Sequence, residues 1–121
     1  MVQKLLIADD EPSLRLLVAA TLASEDYEII EAGDGAEAFA LAKAEHPRLA
    51  LLDVQMPIMN GLEVCRRIKT DSELSATKVV MLTSAAQPAE REAGFAAGAD
   101  EYLTKPFSPL QLLRVIEQFV S

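Results

Sequence analysis

Residues 49–54 read Leu-Ala-Leu-Leu-Asp-Val: four apolar residues without a polar break, then a carboxylate. A run this short and unalternating fits a strand covered on both faces. Four more short apolar runs flank it, at 5–8, 27–30, 79–82 and 102–103. Helix-length segments lie between them. Over 12–24, Leu14, Leu17, Val18, Thr21 and Leu22 follow the i, i+3, i+4, i+7, i+8 pattern of an amphipathic helix. Segment 35–45 is Ala-rich, with Phe39 as its large residue. Segment 61–70 sets Leu62, Cys65 and Ile68 on one side. Segment 109–120 is expected to turn Leu110, Leu113, Ile116 and Phe119 or Val120 inward.

Boundary residues agree with this division. Ser108-Pro109-Leu110-Gln111 has the form of a capping box with proline at the first helical position. Asn60-Gly61-Leu62-Glu63 reads as a second cap, and Asp26 and Asp34-Gly35 punctuate turns. Segment 88–99 is the weakest helix. Its Gly94 and Gly98 each cost roughly 1 kcal/mol against alanine, and it has little to bury beyond Phe95 and alanines. It is expected to be the most mobile element. Strand and helix thus alternate five times. That alternation predicts one α/β domain over 1–121, a doubly wound (βα)5 unit with a parallel sheet, right-handed crossovers and helices on both faces.

Size and charge limit the function. A chain of 121 residues and 13.1 kDa is one domain. It should expose roughly 6,400 Å² of the roughly 19,000 Å² of its extended form, enough burial to need no metal staple or disulfide. Eleven Lys and Arg against 19 Asp and Glu leave a net charge of −8. That argues against nucleic acid and against a polybasic membrane contact. Residues 1–60 carry 4 basic and 11 acidic side chains, and residues 61–121 carry 7 and 8, so the acid sits in the first half. A single cysteine, Cys65, fits a reducing compartment. With no signal-peptide pattern and no long apolar run, a cytoplasmic protein is expected.

Sites in open α/β sheets form beyond the carboxyl ends of the strands. The first strand is followed by Asp9, Asp10 and Glu11, and the third ends on Asp53. The fourth ends on Thr83 and Ser84, and the fifth on Lys105-Pro106. Carboxylates about 4 Å apart repel by about 4 kcal/mol at an effective dielectric near 20. Such a cluster calls for a cation, and an all-oxygen set with few carboxylates suits Mg²⁺. Mn²⁺ is an acceptable substitute for such ligands. The whole constellation suits phosphoryl transfer onto a carboxylate. Asp53 would be the nucleophile, Lys105 a point charge for one phosphoryl oxygen, and the Thr83 hydroxyl a hydrogen-bond donor to another.

The stretches LLIADDEPSLR, EAGDGAEAFA, LALLDVQMPIMNGLEVCRRI, VVMLTSAA and GADEYLTKPF resemble, in order, the receiver domain of two-component response regulators, the CheY-like family. The resemblance spans nearly the whole chain. It implies a flavodoxin-like sheet in strand order 2-1-3-4-5. It implies Asp53 as phosphoacceptor, charged by a sensor histidine kinase, a phosphotransfer protein or a small phosphodonor. Mg²⁺ is then bound by Asp10, Asp53 and the backbone carbonyl of Gln55, with Asp9 acting through water. Thr83 and Lys105 contact the phosphoryl group, and Tyr102 is the switch aromatic, half-buried in the inactive state. The Lys105-Pro106 bond is cis, and Gln55 and Ala85 modulate the lifetime of the acyl phosphate. A protein of this kind catalyses only its own phosphorylation and slow dephosphorylation.

Output would run through the 88–120 face, bearing Glu90, Arg91, Glu92, Asp100, Glu101, Arg114 and Glu117, toward a partner protein or an output domain. A symmetric homodimer through that face and a plainly solvated face are both open. His46 is expected at the surface, and Cys65, Met56 and Met59 are expected to pack. Two other readings compete. A dehalogenase-like phosphatase would want Asp-x-Asp after the first strand, where the chain has Asp9-Asp10-Glu11. A binding module that had lost phosphorylation would not need every acceptor-site residue present. A nucleotide or flavin binder lacks its Gly-rich loop. The kinase, the stimulus, and whether these residues stand alone or open a longer regulator are not legible here.

Overall fold

The computed structural model describes residues 3–23, 27–83, 92–93 and 95–120. Strands β1 (Gln3–Ala8), β2 (Tyr27–Ala32), β3 (Leu49–Asp53), β4 (Lys78–Thr83) and β5 (Glu101–Thr104) form one parallel sheet in the order β2-β1-β3-β4-β5. This is the doubly wound topology anticipated. Helices α1 (Pro12–Thr21), α2 (Gly35–Glu45), α3 (Gly61–Thr70) and α4 (Pro109–Val120) flank it. In the expected 88–99 helix, residues 92–93 and 95–96 are helical, while 88–91 and 94 lie outside the described residues.

Strand alternation divides the core into two layers. Leu6, Ala8, Ala50, Leu52, Val79 and Met81 face α2 and α3, meeting Ala38, Ala42, Val64, Cys65 and Ile68. Leu5, Ile7, Leu49, Leu51, Val80 and Leu82 face α1 and α4, meeting Val18, Leu22, Leu112 and Ile116. Helix α2 contributes Ala38 and Ala42 to the first layer, with Phe39 and Leu41 partly buried against it. The central strand β3 is buried at every position, which accounts for its unbroken apolar run. The chain exposes 6127 Å², close to the value its mass predicts.

Helix starts are tied by their caps. Ser108 Oγ accepts from Gln111 N at 3.1 Å while Gln111 Oε1 accepts from Ser108 N at 2.8 Å, a reciprocal capping box. Asn60 Oδ1 accepts from Glu63 N at 2.9 Å. Asp34, expected only to mark a turn, is the N-cap of α2, accepting from Glu37 N at 2.8 Å.

Three packing expectations need correction. Helix α1 ends at Thr21, with Leu22 and Ala23 in a turn, rather than reaching 24. The inward stripe of α4 is Leu112, Ile116 and Val120, while Leu110 is 57% exposed and Leu113 only half-buried. Leu110 shares its side of the helix with Arg114 and Glu117, at i+4 and i+7, which the three-residue step to Leu113 overlooks, and Phe107 is buried in the same layer just before the helix begins. Phe95 is 46% exposed rather than buried, its ring lying against Tyr102.

Candidate functional site

The same alternation that sorts the core places the site. Asp9 follows Leu5 and Ile7 on the α1/α4 side of the sheet, Asp53 follows Leu49 and Leu51, and Lys105 follows Leu103. The ladder continues one step past the strands: Asp9 N donates to Ala32 O at 3.1 Å, and Lys105 N to Thr83 O at 2.7 Å. Ala8 is paired with Leu52, so Asp9 and Asp53 end up side by side. The buried β3, the buried carboxyl half of β1 and the buried middle of β5 therefore aim these groups at one point.

The result is a cleft of about 320 Å³ lined by Asp10, Glu11, Asp53, Val54, Gln55, Thr83 and Lys105. Asp9 is wholly buried beneath it, Asp53 is 7% exposed and Thr83 is 2% exposed. Lys105 Nζ lies 2.8 Å from Asp9 Oδ2, 3.4 Å from Asp53 Oδ2 and 3.8 Å from Glu11 Oε1. Carboxylate oxygens of Asp9, Asp10 and Asp53 all lie within 4.8 Å of one another. Hard oxygen donors at this spacing fit a small divalent cation that keeps some of its waters.

Electrostatics follow from this crowding. Burial, then the neighbouring Asp9 carboxylate, holds the Asp53 carboxyl above its ordinary value, against the pull of Lys105. Burial would depress the Lys105 ammonium, but its bond to Asp9 and the charge of Asp53 outweigh that and raise it. The cleft holds more negative charge than its one cation offsets.

Local backbone shapes the acceptor loop. Gln55 N donates to Asp53 Oδ1 at 3.3 Å, and Gly61 N donates to Val54 O at 2.9 Å. Any side chain at Gly61 would collide with the Asp53 carbonyl, so only glycine lets α3 begin so close to the acceptor. Ile58 sits at φ 72°, with Met59 N donating to Pro57 O at 2.8 Å, a γ-turn in a region β-branched residues rarely enter. The Lys105-Pro106 peptide bond is cis.

The expected site residues Asp9, Asp10, Asp53, Gln55, Thr83 and Lys105 are therefore gathered in and under one cleft. Tyr102 lies apart from its lining, 7% exposed rather than half-buried, because the Phe95 ring covers it at 5.5 Å between centroids. Ala85 lies outside the described residues. Glu11, Gly61 and Arg15 shape the site and were assigned no role from sequence. Glu11 read there only as a strand-end acid, Arg15 drew no reading of its own, and the glycine's crowding is visible only in three dimensions.

The remaining expectations resolve simply. Met56 is 9% exposed, and Met59 packs on the core. Cys65 is wholly buried, with burial pushing its thiol up to about 11. His46 is exposed and closes α2 in the left-handed region at φ 49°. On the expected output face, Glu92 and Arg114 are exposed. Asp100 is instead engaged, pairing with Lys69 at 2.7 Å and accepting from Val79 N at 2.8 Å. Glu90 and Arg91 lie outside the described residues. No described helix is long and apolar enough to cross a membrane.

Known proteins share this arrangement. The chain is 44% identical over 110 residues to the transcriptional regulatory protein ResD of Bacillus subtilis, covering 91% of this chain and 45% of ResD. It thus spans about half the length of the curated relatives it matches. The chemotaxis response regulator CheY4 of Vibrio cholerae superposes with a TM-score of 0.93 at 35% identity, covering 99% of this chain and 100% of that one. The receiver domain of sensor histidine kinase PA1611 from Pseudomonas aeruginosa, solved with a magnesium ion in its active site cleft, gives 0.89 at 27% identity and covers 98% of each. The family model for the response regulator receiver domain matches residues 5–117, and this chain belongs to that family of two-component signalling domains.

Proposed function

We propose that the domain is a phosphorylation switch whose acceptor is Asp53. The observation that carries the reading is the Asp53 carboxylate itself. It is nearly buried at the end of a buried strand, opens onto the cleft, and lies beside the Asp9 carboxylate with the Lys105 ammonium 3.4 Å away. A poorly hydrated carboxylate fixed in line with an incoming phosphorus is a competent nucleophile. One of its oxygens attacks phosphorus. The donor's P–N or P–O bond breaks, and the bonding pair leaves with the histidine or small phosphodonor.

Asp10, Asp53 and the Gln55 carbonyl would hold Mg²⁺, with Asp9 reaching it through water. When bound, the ion supplies the charge that lets a further anion enter this acidic cleft. Lys105, bonded to Asp9 and 3.4 Å from Asp53, then turns toward a phosphoryl oxygen, and Thr83 donates to another. The added charge of about −1.5 to −2 draws both side chains inward. Thr83 pairs with Thr104, and Met81 with Tyr102, so a shift of β4 against β5 reaches the Tyr102–Phe95 contact. The 88–120 face is the output surface toward a partner, an output domain or a second copy. A histidine kinase is the expected donor, and the cytoplasm the expected compartment.

Intact-mass measurement after treatment with acetyl phosphate and Mg²⁺ tests this reading. The wild type should gain one phosphoryl group and Asp53→Ala none. No adduct on the wild type, or an equal adduct on the variant, would sink it.

A further inference from the structure

Every backbone and side-chain polar atom of Asp9 is engaged. Its N–H donates to Ala32 O, its Oδ1 accepts from Glu11 N at 2.9 Å, and its Oδ2 accepts from Lys105 at 2.8 Å. Its carbonyl oxygen accepts from Arg15 Nη1 at 2.6 Å, a bond that reaches back from α1 to the end of β1. The same guanidinium places Nε 3.2 Å from Glu31 Oε1 on β2, and its side chain is only 20% exposed. One planar fork thus ties α1 to the ends of two strands.

The carbonyl it grips belongs to the Asp9–Asp10 peptide. A peptide unit is planar, so fixing the direction of its C=O fixes where Asp10 begins. Asp10 needs that help: it is exposed, and its side chain makes no hydrogen bond among the described residues.

We propose that Arg15 is a positioning residue for the divalent-cation site, holding the Asp9–Asp10 peptide so that both carboxylates converge with Asp53. The inference rests on the acceptor-site reading above. Its sign is distinctive. As a nearby cation, Arg15 repels a second cation, so removing its charge alone would tighten Mg²⁺ binding. Removing its grip on the peptide would loosen it.

Calorimetric titration of the metal-free protein with Mg²⁺ separates these effects. Partners behind metal ligands typically govern affinity by 10–100-fold, and Arg15→Ala is expected to raise the Kd about tenfold. Arg15→Lys keeps the charge, but a single ammonium does not reproduce the fork, so its Kd should rise as well. An unchanged or lowered Kd in Arg15→Ala, in protein that still unfolds cooperatively, overturns the inference. So does a wild-type Kd in Arg15→Lys, which also decides the matter if Arg15→Ala does not fold. A wild type that binds Mg²⁺ but takes up no phosphoryl group overturns the acceptor reading alone. A wild type that is phosphorylated, beside an Arg15→Ala variant with an unchanged Kd, overturns the positioning role alone. A wild type that binds no Mg²⁺ overturns both.

Discussion

The two ends of the sheet each carry a hollow, and the larger one is not where the carboxylates gather. At the amino ends of β1 and β4 an open depression of about 620 Å³ is lined by Gln3, Lys4, Glu45, Arg48, Glu73 and Thr77, among others. At the carboxyl ends the cleft is about 320 Å³. The amino-end hollow balances Lys4 and Arg48 against Glu45 and Glu73, with Lys4 and Glu45 paired at 2.9 Å. Among the described residues the cleft sets Asp9, Asp10, Glu11 and Asp53 against Lys105, with Arg15 reaching only the Asp9 backbone. Charge left uncompensated under burial, not volume, distinguishes a site from a gap between elements.

That contrast breaks most visibly at Lys105. Replacing it with alanine leaves the buried Asp9 carboxylate with no cation in contact with it among the described residues, and the loss should be about 3 kcal/mol, the usual cost of orphaning one member of a buried pair. Urea unfolding of metal-free protein at neutral pH measures it, and added Mg²⁺ should restore part of the loss by supplying the missing charge. A change below about 1 kcal/mol, a value typical of surface pairs, would show that the cleft is better hydrated than its burial implies. The contribution has a pH direction. The Lys105 pKa is raised above its ordinary 10.5, so the stability it brings is complete below that value and is lost as pH climbs through the folded one.

Asp53→Asn should act in the opposite sense and more weakly, raising metal-free stability at neutral pH. Removing the charge relieves burial and the repulsion from Asp9 but forfeits the attraction of Lys105. Contacts of this kind run to about 4 kcal/mol each at 4 Å and largely cancel, leaving a net gain of about 1 kcal/mol. Burial and Asp9 raise the Asp53 pKa, so the native state holds its proton where the unfolded chain has lost it. Stability of the wild type therefore falls relative to the variant as pH rises from the ordinary 3.8 through the raised value, and the gap is constant above it. Paired unfolding curves across acid to neutral pH measure this. A variant less stable than the wild type at neutral pH would mean Lys105 outweighs both opposing effects.

The cleft was legible in the sequence because its members sit directly after apolar runs. Leu49 to Asp53 needs no partner chain or distant contact to announce a buried strand ending in a carboxylate. What escaped reading depends on phase and approach. In α4 a stripe begun at Leu110 is out of phase, because Arg114 and Glu117, at i+4 and i+7, share its side of the helix while Leu112 and Ile116 lie opposite. Gly61 looked like half of a cap signal, yet its place is set by the carbonyl of Asp53, remote in argument though near in sequence. Asp100 looked like an output-face charge, and only the fold brings Lys69 and the Val79 amide to it. Arg15 bonds a backbone oxygen, a partner that leaves no trace in residue identities.

The smallest expected effect sharpens the comparison from the other end. Lys4 and Glu45 are as close to each other as Lys105 and Asp9, at 2.9 and 2.8 Å. Distance alone would rank them together. Lys4 is 41% exposed and Glu45 35%, whereas Asp9 is wholly buried. Water and salt screen the first pair, and holding two long side chains together offsets much of its attraction. The Lys4 pKa is nonetheless raised, first by its hydrogen bond to Glu45. Lys4→Ala should leave the urea midpoint within error of the wild type, at low and at high salt alike. A loss comparable with that of Lys105→Ala would remove burial as the quantity that separates the two ends, and leave contact distance in its place.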